Sequence, residues 1–121
     1  MRRSRETAEQ TLLLASLTQH GWARYVAASV NADTVLDEIR RIGDLLGARA
    51  AGRAGALEEV VQPQTSEDAH PRSLSARYGL NALPFHVELS HRPRPCRYLL
   101  LGCIDPGVSG TVTKLLSWRN L

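Results

Sequence analysis

The chain has 121 residues, 43% hydrophobic and 22% charged, with a formal net charge of +3. That length holds one modest core, and the composition is that of a folded protein rather than a disordered chain. No apolar run reaches the roughly 20 residues that span a bilayer, so no membrane partner is expected. Fourteen of the fifteen basic residues are Arg, with dense patches at Arg2-Arg3-Arg5 and Arg92-Arg94-Arg97. Neither patch is interleaved with aromatics, which argues against a nucleic-acid surface. The basic start is followed by no signal-like apolar region, and Cys96 and Cys103 form no Cys-x-x-Cys motif. Both features suit the reducing cytoplasm.

Residues 6–19 predict a helix carrying Leu12, Leu13, Leu14 and Leu17, stopped by His20-Gly21. Residues 22–29, with Trp22, Tyr25 and Val26, predict a short strand. Asp33 or Thr34 can cap a second helix in which Val35, Ile39, Ile42 and Leu46 recur at helical spacing. Asp37 stands four residues before Arg41, a favourable ion-pair order, and Gly47 is a natural stop. Residues 48–55 read as a Gly/Ala/Arg loop, 57–61 as a short strand and 62–72 as an exposed loop with Pro63 and Pro71. Strands are expected at 85–89, at 97–104 and at 112–118. Pro93 and Pro95 punctuate the first interval, and Asp105-Pro106-Gly107 turns the second. The 97–104 run is nearly continuously apolar, as in a strand covered on both faces. Helices lead and strands follow, so the fold class expected is α+β in a single domain over 1–121, with residues 1–72 preceding a strand-rich region at 73–121.

The triplet His86-Val87-Glu88 carries the most chemistry. On a strand, side chains two residues apart share a face, so the imidazole and the carboxylate would project together. Two such donors are two-thirds of the 2-His-1-carboxylate triad that holds non-haem Fe(II) and leaves positions open. A hydrogen-bonded surface or core histidine is the bland reading of the same residues.

Three segments in order, Ser73-Leu74-Ser75-Ala76-Arg77-Tyr78-Gly79, Pro84-Phe85-His86-Val87-Glu88 and Pro95-Cys96-Arg97-Tyr98-Leu99-Leu100-Leu101-Gly102-Cys103, resemble the Fe(II)/2-oxoglutarate-dependent dioxygenases. The likeness is to the clavaminate synthase-like and taurine dioxygenase-like branch, and it covers residues 22–118. It implies part of a double-stranded β-helix, or jelly roll, following the N-terminal helices. It also implies His86 and Glu88 as metal ligands and Fe(II) with 2-oxoglutarate as cofactors. The reaction implied is hydroxylation of a small, amino-acid-derived or sulfonate substrate, coupled to decarboxylation of the 2-oxo acid. Thr113, 27 residues after His86, stands where the family has a threonine that helps bind the 2-oxoglutarate carboxylate. Thr111 is a rival, and β-propensity explains either residue equally well. Tyr78 and Asn81 are candidate substrate-pocket residues, although turn chemistry accounts for Asn81 as well.

The family's second histidine and its 2-oxoglutarate-binding arginine have no counterpart in these 121 residues. His91 lies five positions from His86 and would face the opposite side of a strand. His20 and His70 precede the motif, and Arg119 comes too early. A jelly roll needs about eight strands, and four or five are expected here. The expectation is therefore an N-terminal portion of such an enzyme, completed by a second half or by a further copy. A non-catalytic binding or assembly module is the alternative. A third reading is a small basic protein using Arg92, Arg94 and Arg97 against an anionic partner.

Overall fold

Asn31 begins the best-formed element of the chain. Its side chain accepts from the backbone N–H groups of Asp33 and Thr34, at 3.0 and 3.3 Å, and so satisfies two donors that the first helical turn leaves without partners. The structure, a computed structural model, describes residues 2–52, 55–108 and 110–120, with side chains for 7–52, 55–108 and 110–119. The Arg2-Arg3-Arg5 side chains lie outside the described residues. Three α-helices are present: α1 (Arg2–His20), α2 (Ala32–Leu46) and the short α3 (Leu74–Tyr78), with a 3₁₀ turn at Trp118–Asn120. The chain divides into two units, one of Met1–Arg49 with Arg97–Leu121 and one of Ala50–Cys96.

In the first unit the expected helices form, with α2 capped by Asn31 rather than by Asp33 or Thr34. Of its apolar row, Val35 and Ile42 are buried while Ile39 and Leu46 are half-buried. The inward stripe of α1 is Glu9, Gln10, Leu13, Ser16 and Leu17, positions one helical turn apart; Leu12 and Leu14 stay exposed. The two helices are joined by polar bonds as much as by packing. Arg41 forms a two-pronged ion pair with Glu9, at 2.7 and 2.8 Å, and Gln10 donates to the Leu45 carbonyl at 2.7 Å. Arg41 therefore turns to α1, and Asp37 pairs instead with Arg40 at 3.0 Å. The hydrogen bond and charge of Glu9 hold the Arg41 guanidinium protonated well beyond its usual range.

Residues 98–101 alternate in burial, the period of a strand, against α2. Tyr98, Leu100 and Ile104 are half-buried, whereas Leu99, Leu101 and Cys103 are exposed. Gly102 makes the approach to α2 possible. A Cβ there would lie 2.9 Å from Val35 Cγ1 and 3.2 Å from Ile39 Cγ1, with the Ile39 Cδ1 methyl nearer still.

The second unit has Ala69 as its one buried hydrophobe among the described residues. Ser73 caps α3 by accepting from the Ala76 N–H at 3.2 Å, and Gly79, at φ 55°, ends it. A Cβ on Gly79 would fall 2.8 Å from Ser66 Oγ, so the 65–68 turn and the end of α3 lie against each other. Thr65 and Asp68 fix that turn through a 2.7 Å hydrogen bond.

The expected α+β jelly roll is not what forms. Among the described residues there is no β-strand and no sheet, and the runs at 22–29, 57–61, 85–89, 97–104 and 112–118 carry no ladder. The physical reason is pairing. A strand is completed by hydrogen bonds to a neighbour in register, and fewer than three paired strands over an apolar face are marginal in water. The apolar residues of these runs stay open to solvent instead. Phe85, Val87, Val112, Leu115 and Leu116 are all exposed. Among the described residues no helix is long and apolar enough to cross a membrane.

Candidate functional site

Pro84 sets up the pair at the centre of the candidate site. A proline carbonyl can only accept, so the 2.9 Å bond from His86 Nδ1 to the Pro84 oxygen places a proton on Nδ1. Nε2 then faces Glu88 Oε1 at 3.2 Å. Two acceptors do not meet at that distance without a cation between them. Either Nε2 carries a second proton and the contact is an imidazolium–carboxylate ion pair, or both lone pairs are directed at a bound cation. The side chains are 36% and 50% exposed, so the pair is open to solvent on one side.

The spacing suits two donors on one ion. Ligands in adjacent positions of an octahedral ion, with bonds near 2.1 Å, stand about 3.0 Å apart. The backbone carbonyl on Nδ1 is also the usual outer partner of a metal-binding histidine, fixing tautomer and ring direction. The ligand count does not complete a centre. Among the described residues no three His, Cys, Asp or Glu side chains come together. The expectation that this chain presents a metal centre of its own is corrected accordingly: it presents a pair. The pair also forms without the strand expected beneath it. Residues 82–87 have no regular secondary structure, and the chain turns at 88–91. Alternation over three residues suffices to put the two side chains together.

The Pro84 hydrogen bond raises the His86 pKa above the ordinary histidine value; desolvation opposes it, and the hydrogen bond and charge of Glu88 add to the rise. A raised folded-state pKa contributes stability that is fully present below the unfolded value of about 6.5 and is lost as pH climbs through the folded one. At this exposure the contribution is small. NMR of the His86 ring is expected to show a midpoint above 6.5 that falls in Glu88→Gln. A wild-type midpoint at or below that of an unfolded histidine would show that Pro84 and Glu88 do not hold the ring.

Tyr78 ends α3, half-buried, with the Arg77 guanidinium 5.6 Å from its ring centre. Asn81 donates its backbone N–H to the Tyr78 carbonyl at 3.0 Å, so these two residues share one turn. The two belong to the same unit as His86 and Glu88, and Asn81 has a turn role whatever else it does. Thr113 belongs to the other unit and is exposed in a stretch without regular structure; His91 is exposed in the turn after Glu88.

Two residues that the motif reading passed over fix the far side of the pair. Leu89, directly after Glu88, has φ 55°, and among the described residues it alone is a non-glycine with positive φ. Its carbonyl accepts from the Arg92 N–H at 2.9 Å, closing the turn. The Arg92 side chain donates to the Gly52 carbonyl at 2.6 Å and to the Ala51 carbonyl. It is therefore engaged within its own unit, which removes it from the Arg92-Arg94-Arg97 cluster as a free anion-binding group. Comparison with family models, with curated proteins and with solved structures finds no match for this chain.

Proposed function

We propose that the chain supplies His86 and Glu88 to the iron centre of a 2-oxoglutarate-dependent oxygenase that hydroxylates a small, amino-acid-derived substrate. The single observation that carries the reading is the Nε2–Oε1 approach of 3.2 Å, with Nδ1 tied to a backbone carbonyl. The sequence resemblance supplies the reaction class. Fe(II) with 2-oxoglutarate and dioxygen would supply an oxidant that leaves succinate, carbon dioxide and a hydroxylated substrate. What this chain's residues do is narrower. Glu88 offsets positive charge, His86 offers a neutral Nε2 once its proton is displaced, and the Pro84 carbonyl keeps that nitrogen aimed. Tyr78 and Asn81, in the same unit as the pair, are the proposed partners of the substrate. The third donor and the 2-oxoglutarate arginine come from a complementing half or a second copy. Cys96 and Cys103 are free thiols, in keeping with a cytoplasmic setting.

The test has two arms on the 121-residue chain. Mn(II), a redox-stable stand-in for Fe(II), is expected to broaden the NMR signals of His86 and Glu88 selectively, and not in His86→Ala. Succinate formation from 2-oxoglutarate with added Fe(II) is expected to depend on assembly state and to vanish in the same variant. Absence of cation-dependent broadening at these two residues sinks the proposal.

The surface favours a second reading, a binding or assembly module without catalysis. Leu99 and Leu101 are 52% and 75% exposed on one side of an unpaired run. Assembly without turnover in any state would select this reading.

A further inference from the structure

Leu89 poses a question that the His86–Glu88 pair does not itself answer. A left-handed backbone is unfavourable for an L-residue with a branched side chain, and it persists only where the surroundings impose it. Gly or Asn would adopt it with less strain. The surroundings here are specific. The Leu89 carbonyl is bonded by the Arg92 N–H, and Arg92 is clamped through its guanidinium to the carbonyls of Ala51 and Gly52, about forty residues earlier in the chain. Peptide geometry then links the two features, since φ of Leu89 sets the direction in which the chain leaves Glu88.

We propose that Leu89 and Arg92 are positioning residues for the His86–Glu88 pair: the clamped left-handed turn holds the Glu88 carboxylate against His86 Nε2. Pro84 fixes one donor from the N-terminal side and the Arg92 clamp fixes the other from the C-terminal side. The inference deepens the functional reading above, because a pair held this way is preorganised for a cation. Its geometry stands on its own contacts.

Two readouts separate the inference from that reading. The first needs no cation: the NOE between the His86 ring protons and the Glu88 side chain. It is expected in the wild-type chain and in Leu89→Asn, which tolerates positive φ. It is expected to disappear in Leu89→Val, whose β-branched side chain does not, and in Arg92→Ala. The amide shifts of Ser66 and Gly79 should stay in place, showing that the unit remains folded. The second readout is Mn(II) affinity, expected to fall about tenfold in Arg92→Ala, the loss typical of removing a group that orients a metal ligand. Persistence of the NOE in both Leu89→Val and Arg92→Ala, or its absence from the wild type, overturns the inference. A wild-type NOE with no Mn(II) binding overturns the oxygenase reading and leaves the positioning role in place.

Discussion

Gly102→Ala is expected to destabilise the first unit by about 1–3 kcal/mol, the range for forcing a methyl group into packed surroundings. Gly102→Val should abolish its cooperative unfolding. The new Cβ would meet Val35 Cγ1 at 2.9 Å and the end of Ile39. Ile39 can move its terminal methyl. Val35 cannot, because it is 5% exposed and a β-branched side chain in a helix has essentially one rotamer. Urea unfolding followed by helical circular dichroism measures the effect. Val35→Ala restores room, so its own destabilisation should shrink in the Gly102→Ala background. Equal midpoints for wild type and Gly102→Ala would mean that residues 98–104 do not lie on α2.

The second large effect is calorimetric. Because apolar side chains such as Leu99, Leu101, Val112 and Leu115 are already exposed, unfolding the isolated chain uncovers less apolar surface than unfolding a domain that buries them. The heat-capacity increment should then fall clearly below the value of about 1.6 kcal/mol/K for a compact domain of this length. Raising the concentration should increase it if exposed rows such as Leu99, Leu101 and Leu115 find partners, and sedimentation should show the matching rise in mass. A full-sized increment in a strictly monomeric sample would contradict the open surface described above.

What could be read from residues alone follows the range of the interactions. α2 was legible because its row of Val35, Ile39, Ile42 and Leu46 and its Gly47 stop are local. Even so, Asn31 took the cap from Asp33 and Thr34, because its side chain reaches two N–H groups at once. α3 was missed although Ser73 and Gly79 bracket it, since five residues give too little periodicity to notice. The strands failed for the opposite reason. The 97–104 run was expected to be covered on both faces, yet Leu99, Leu101 and Cys103 are exposed, because a ladder and a covering layer depend on a second segment that no single run encodes. In the candidate site, the His86–Glu88 approach followed from a two-residue spacing and survives without a sheet. The Arg92 clamp did not follow, because its carbonyl partners lie far away in sequence and carry no side-chain signature.

The interrupted path of the first unit has a consequence for how the chain comes together during synthesis. Its polypeptide departs at Arg49 and rejoins at Arg97, while the other unit is one uninterrupted stretch. The helical pair emerges from the ribosome first yet must wait, with Val35 and Ile39 lacking their neighbour, until the Gly102 stretch is translated. The intervening stretch can settle in the meantime. The unit begun first is thus the last to have all its residues translated, and a pause near residue 96 would prolong that interval.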